Sequence, residues 1–444
     1  MRGGATAGAP PLRLVAALLA LMGAARAEAP AKPPAEPPAA TFDLQEKLDA
    51  IAQGGEARLP CGAFRLAETV SVVIAPGAHL ALRGGGAGCT RLFAGTKDAL
   101  RFFYGGPDSS LTLENLTLVT EGSGATAIAL TLKAAEANPA VGAVSVLRDV
   151  ALVGADFTGA RTNFWARGVV VSGVSNVDYD ALAYMGRSGV GEAIVIRGVA
   201  ERKTYSVSHR IRGARIVNCG TGVFFGDWTQ GVWVVDSDVV GCAQGIVTEP
   251  KPAGELDQLF VRGNEFGYGL KDVVVAGPIS DVVITNNQFG DERGRGYAGV
   301  TLAGARQYVV AGNVFFSTNG AGATAIRLAG AAPRGPNLVS GNAIFGFAAG
   351  IEVGPVAARA KIAGNEFGRN AVDYGVAPGA SGLLIVDDAP RPLAALPACG
   401  AGLDGSRFVV RDAKAPKYLE PLEDGGERRV EALCDGPAAG WRAH

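Results

Sequence analysis

Between residues 160 and 260, acidic, aromatic and basic side chains collect in polar segments that interrupt short apolar stretches. Asp227, Glu249 and Asp257 fall in segments 226–231 and 248–258, with Glu255 beside them and Glu201 in segment 198–206. Two carboxylates can share a cleavage reaction, one protonating a leaving oxygen while the other activates water or attacks. His209, within Val207-Ser-His-Arg-Ile211, is a further candidate base, because imidazole titrates near neutrality. Trp165, Trp228, Tyr179 and Tyr184 are candidates to line a substrate site, since such sites combine aromatic walls with a few polar groups. Trp233 alternates within an apolar stretch and is expected in the core. Arg187 and Arg210 could grip a carboxylate through paired hydrogen bonds. Asp178 and Asp180 could offer oxygens to Ca²⁺, but no calcium-loop motif surrounds them, and no cofactor or metal is otherwise called for. Each residue also has a plainer role: solvated loop acid, structural histidine or idle surface arginine.

Whether these groups can act together depends on what spaces them. Five segments repeat one pattern: Val261-Arg-Gly-Asn-Glu-Phe266, Ile284-Thr-Asn-Asn-Gln-Phe289, Val310-Ala-Gly-Asn-Val-Phe315, Val339-Ser-Gly-Asn-Ala-Ile344 and Ile362-Ala-Gly-Asn-Glu-Phe367. Their asparagines, Asn264, Asn287, Asn313, Asn342 and Asn365, are 23, 26, 29 and 23 residues apart. A coil of that length accommodates three short strands and their turns, stacked at a strand spacing of ~4.8 Å. Asn is expected there for its tolerance of the left-handed turn conformation, and stacked amides can hydrogen-bond from rung to rung. Propeller blades and left-handed hexapeptide helices have other periods. The fold class is therefore all-β, a single-stranded right-handed parallel β-helix. On it, carboxylates one rung apart are about 5 Å apart and two rungs apart about 10 Å. These values bracket the separations of retaining and inverting glycosidases.

The opening Leu48-Asp-Ala-Ile51, Ala57-Arg-Leu-Pro-Cys-Gly-Ala-Phe-Arg-Leu66 and Leu80-Ala-Leu-Arg-Gly-Gly-Gly86, with the Asn repeat, resembles the pectin-lyase-like superfamily, specifically pectate-lyase-type domains of secreted and phage tail-associated proteins. The resemblance covers roughly residues 41–385. It implies a short N-terminal capping helix, a lateral groove between corner loops, and a polysaccharide as partner. The chain departs from the superfamily's best-known catalytic patterns: it has no Asn-Thr-Asp, Arg-Ile-Lys, Trp-Ile-Asp-His or Asp-Pro-His. Residues 386–444 lose the repeat and read as a small β module that caps the open end or supports an oligomer.

Composition sets the compartment. The chain has 444 residues, 48% hydrophobic, with 64 Gly and 24 Pro. Arg2, Arg13, the apolar run from Leu14 to Met22 and Ala25-Arg-Ala27 make residues 1–27 a signal peptide, followed by a Pro/Ala-rich linker at 28–40. The mature chain is expected outside the cytoplasm, periplasmic or extracellular, without stable membrane insertion. There the six cysteines can pair locally: Cys61 with Cys89, Cys219 with Cys242, and Cys399 with Cys434. Cys219 and Cys242 occupy equivalent places one coil apart. A net charge of −1 gives no electrostatic footprint for nucleic acid. The functional expectation is an exported protein that binds, and can degrade, an extended polysaccharide by glycosidase or lyase chemistry. The competing class is a non-catalytic surface or phage-derived adhesion scaffold.

Overall fold

Strand Val70–Ile74 buries Val70, Val72 and Ile74 and exposes Ser71 and Val73, the two-residue alternation of a strand with one dry face. Such strands recur up to residue 391, and each pairs in parallel with the strand one coil further on. The computed structural model describes residues 41–444 except 134–141, 295, 331–334, 336, 356, 415, 416 and 437–439. The signal peptide at 1–27 and the linker at 28–40 lie outside the described residues. The fold is a right-handed parallel β-helix.

Each coil contributes to three faces. In one coil these are Thr229–Val235 (first face), Asp238–Val240 (second) and Gln244–Thr248 (third). The third face is a ladder of twelve strands from Val70–Ile74 to Val372–Val376. Strands Ser110–Thr120 and Ser145–Gly154 run round the corner from first face to second, turning at Asn115 (φ 60°) and Asp149 (φ 50°).

Inside, like side chains lie on like. Phe266, Phe289 and Phe315 stack with centroids 5.0 and 4.5 Å apart, each worth roughly 1.5–3 kcal/mol in buried apolar surface. The asparagine column stands at the tight corner between first and second faces. The Nδ2 groups of Asn264, Asn287, Asn313 and Asn342 donate to the Oδ1 of the next rung's asparagine at 2.9–3.0 Å. Each of these Oδ1 atoms also accepts the backbone N–H of the preceding asparagine. The expectation that these asparagines adopt the left-handed conformation is corrected here. The left-handed residue is the one before, namely Gly263, Asn286, Gly312, Gly341 and Gly364. Asn is selected for an amide that bonds above, below and sideways while buried, not for its backbone.

On the first face, Ser208, Gly231, Gln258 and Asp281 occupy the third position of four successive strands, all with φ between 53° and 67°. Each inserts a residue into the alternation, in the manner of a β-bulge. Positions after it therefore have the opposite phase from that counted from the strand start.

All three expected disulfides are present, with Cα separations of 4.8 Å (Cys61–Cys89), 4.3 Å (Cys219–Cys242) and 5.5 Å (Cys399–Cys434). At the N-terminal end, helix Leu44–Asp49 is capped by the Asp43 carboxylate and buries Leu44 and Leu48. The last first-face strand, Ser381–Arg391, crosses the expected boundary at 385 and pairs in parallel with Arg407–Ala413. Antiparallel strands Arg428–Cys434 and Trp441–Ala443 then complete that end. Among the described residues no helix is long and apolar enough to cross a membrane.

Candidate functional site

The tight corner varies little, so variation is displaced to the other two corners; between third and first faces, segments 198–205, 226–228 and 249–255 leave the ladder. Together they enclose an open recess of about 370 Å³. Its back wall is a column on the outer side of the third face: Thr131, Ser172 and Arg197 lie in register on three coils. On the next coil the backbone N–H of Gly226 bonds to Ile196, and on the one after that the N–H of Glu249 bonds to Phe225. Gly226 thus leaves a gap in the column between a guanidinium and a carboxylate. A Cβ there would stand 2.9 Å from the Phe224 ring, so glycine keeps both the gap and the aromatic floor open. The Arg197 guanidinium sits 5.9 Å from the centre of that ring.

Segment 198–205 forms one side. Val199 and Thr204 exchange backbone hydrogen bonds, closing the turn Ala200–Arg202. Arg202 donates to the carbonyls of Leu132 (2.9 Å) and Lys133 (2.8 Å), which fixes the turn and brings Glu201 to the recess. Asp227 forms the other side. Its Oδ1 accepts the N–H of Ala253 at 2.6 Å, tying two corner segments together. Trp228, immediately after it, has φ 54°, a strained backbone for a bulky residue of the kind that marks functional sites. Its ring packs edge-to-face on Tyr205 (5.1 Å), whose hydroxyl donates to Glu255 at 3.2 Å.

The sequence-predicted residues divide sharply. Asp227 and Glu249 line the same recess. Arg197, Glu201 and Phe224 join them, although only Glu201 stood out in the sequence; the others needed the column to be seen. Asp257 does not converge with them. It lies on the outer side of the first face, where burial and then Asp281 hold its carboxyl above the usual range. Trp228 is adjacent but faces Tyr205. Arg187 is exposed at the corner between second and third faces, on the other side of the third-face strand. Arg210 is on the first face, ion-paired with Asp178 at 3.5 Å.

Four assignments are corrected by burial. Trp165, Tyr179, Tyr184 and His209 have no exposed surface and cannot touch a polysaccharide. Trp165 donates to the Leu118 carbonyl and Tyr184 to that of Trp165. His209 meets the Ser206 hydroxyl at 2.9 Å and is pushed down to about 3 by burial, so it stays neutral and structural. Conversely Trp233, expected in the core, points outward and is half-buried. The bulge explains both reversals: counted by twos from the strand start, residue 209 points out and 233 points in, and the extra residues Ser208 and Gly231 invert each. Asp178 and Asp180 are engaged by Arg210 and by Arg148 and Arg212, so arginine meets their charge without Ca²⁺. Among the described residues no group of three or more His, Cys, Asp or Glu could hold a metal.

No protein-family model matches the chain, and no curated protein sequence does. Among solved structures it is similar to the N-terminal fragment of bacteriophage Phi29 gene product 12, with a TM-score of 0.55 and 13% identity over 77% of this chain. The match spans 62% of that fragment, less than two thirds of its length. DFA-IIIase from Arthrobacter chlorophenolicus A6 in complex with GF2 aligns with a TM-score of 0.48 and 15% identity, over 77% of this chain and 87% of that one. PfbA, a surface adhesin of Streptococcus pneumoniae, aligns with a TM-score of 0.45 and 12% identity, over 87% and 95%. The first of these is a likeness of fold alone; the other two are too distant to add to it.

Proposed function

We propose that this chain is an exported protein that binds an extended polysaccharide across the corner recess and hydrolyses it, with Asp227 and Glu249 as the acid/base pair. The observation carrying this reading is that two carboxylates from successive coils, an arginine and an aromatic floor meet in one open recess. Carboxylates on successive coils, which stack at ~4.8 Å, can work as a pair in which one protonates the glycosidic oxygen and the other serves water or the anomeric carbon. Phe224 would lie under a sugar ring, and Arg197, with no carboxylate partner among the described residues, would orient its polar substituents. Three disulfides support export, because such bonds persist in oxidising compartments.

The bond from Ala253 to Asp227 favours a second reading, in which Asp227 only braces the corner and the chain is an adhesion scaffold. Asp227→Asn separates the two, since an amide oxygen still accepts that N–H but carries no charge. The test is a panel of acidic and neutral polysaccharides, followed by reducing ends and by ultraviolet absorbance of unsaturated products. Hydrolysis should appear as reducing ends alone and fall at least about 10²-fold in Asp227→Asn and Glu249→Gln, with unchanged melting temperatures. Full activity in both variants would falsify the assignment, and unsaturated products would replace hydrolysis by elimination.

A further inference from the structure

The outer side of the first face changes character along the axis. Over the N-terminal coils it carries a continuous charge ladder. Arg83 pairs with Glu114, Arg148 with Glu114 (3.0 Å) and with Asp180 (3.5 Å), and Arg212 with Asp180 (2.9 Å). In the next column Arg210 pairs with Asp178 and lies 5.7 Å from the Trp233 ring. Trp233 then stacks on Phe260 of the following coil, with centroids 5.3 Å apart and planes 3° from parallel. One face of that pair is thus covered by a guanidinium. On the other side, the coils beyond carry short side chains in register with Phe260 and Arg262, namely Val283 and Thr285, then Val309 and Ala311.

The drop from a ring to short side chains makes a step. Its wall is the ring pair Trp233 and Phe260, and its floor is the next two coils; the recess measures about 540 Å³. Arg262, two residues after Phe260 and on the same side of the strand, stands at its edge with Thr285 and Asn286. The ladder arginines Arg83, Arg148 and Arg212 all have carboxylates, as does Arg210, whereas Arg262 has none among the described residues. The recess spans about 15 Å along the axis, too small a patch against the ~800 Å² per partner of a stable protein interface.

We propose that this step is a second saccharide site, separate from the corner recess, which takes a pyranose bearing a carboxylate or sulfate. The ring lies against Phe260, the anion meets the Arg262 guanidinium in a paired hydrogen bond, and Thr285 and Asn286 meet hydroxyls. Trp233 stacks on Phe260 and lines the same recess, so it extends the aromatic wall.

The test is calorimetric titration of the full mature chain with an oligogalacturonate hexamer, a heparin-derived hexasaccharide and maltohexaose. At least one anionic hexamer should bind and maltohexaose should not compete with it. Arg262→Ala should weaken that binding about tenfold or more, the worth of one charge-assisted hydrogen bond. Phe260→Ala should do the same with an unchanged melting temperature, and Arg262→Lys should recover part of the loss. Binding that is lost in Asp227→Asn but kept in Arg262→Ala belongs to the corner recess and overturns the proposal, which keeps the two sites distinct. Equal affinity in Arg262→Ala, or no binding of either anionic hexamer, overturns the proposal. So does an Arg262→Ala variant that sediments as a smaller species than the parent, because the face would then join copies of the chain.

Discussion

Asp272 lies in third-face strand Lys271–Val275 with 2% of its surface exposed, and its carboxylate accepts the Tyr297 hydroxyl. Burial, reinforced by Asp291, pushes it up to about 8, against an ordinary value of 3.8. The folded chain therefore holds a proton here that the unfolded chain releases above about pH 4. That stabilisation is complete below pH 4 and is lost as pH rises to about 8, by at most about 5 kcal/mol. Asp272→Asn keeps the acceptor without the charge. Its melting temperature should match the parent near pH 4 and exceed it at pH 8, as measured by circular dichroism across that range; identical pH profiles would count against a protonated Asp272. Residue types were a fair guide to the candidate site, since Asp227, Glu249 and Glu201 could be picked out from polar segments alone. Side-chain direction was not. His209 and Trp233 read wrongly because a left-handed residue inside each strand inverts the alternation, and Ser208 leaves no sequence mark while Gly231 is one glycine among 64. Arg197 and Phe224 were missed because their significance comes from Gly226, a residue with no chemistry of its own.

At the scale of the element, the asparagine column was the most legible feature, because its members recur with apolar neighbours at fixed offsets. Its cause was misread: the left-handed turn belongs to the preceding residue, and the buried amide does the joining. Replacing Asn313 by Ala leaves the Asn287 N–H without its acceptor and removes one bond each from the Asn287 Nδ2, which keeps the Val261 carbonyl, and from the Asn342 Oδ1, which keeps the Asn313 N–H. The expected cost is about 2–4 kcal/mol, given one to three kcal/mol for a buried group left without a partner. Asn286→Gly occupies the adjacent left-handed position, where glycine is at ease, and should change stability by less than about 0.5 kcal/mol. Urea denaturation of the two variants checks this, and an Asn313→Ala loss no larger than that of Asn286→Gly would count against the amide column.

Across the whole molecule, repetition made the architecture readable while the ends and corners resisted. A solenoid exposes a strand edge and a core cross-section at each terminus, and both must be covered. The C-terminal strands do this with a chain of edge-to-face rings, Tyr374 to Phe408 at 5.6 Å and Phe408 to Trp441 at 5.2 Å. A chain ending after Arg391 would bare Leu383, Ile385 and the outer edge of the last parallel strand. It should self-associate, giving light-scattering masses above the monomer where the full chain remains at its own mass under the same conditions. Strand composition forecast a few antiparallel strands here but not that the first of them, Arg407–Ala413, pairs in parallel with the last coil, because that depends on where the coil stops.

The contrast between the two kinds of corner carries a consequence for variation. At the asparagine turn an added residue would break the amide column and throw every later coil out of step, so length is locked there. Segments 198–205 and 249–255 hang outside the ladder, and their length can change while the rungs beneath keep time. New specificities can therefore accumulate along this seam of the protein, and sequence libraries confined to it should yield folded variants with altered ligands.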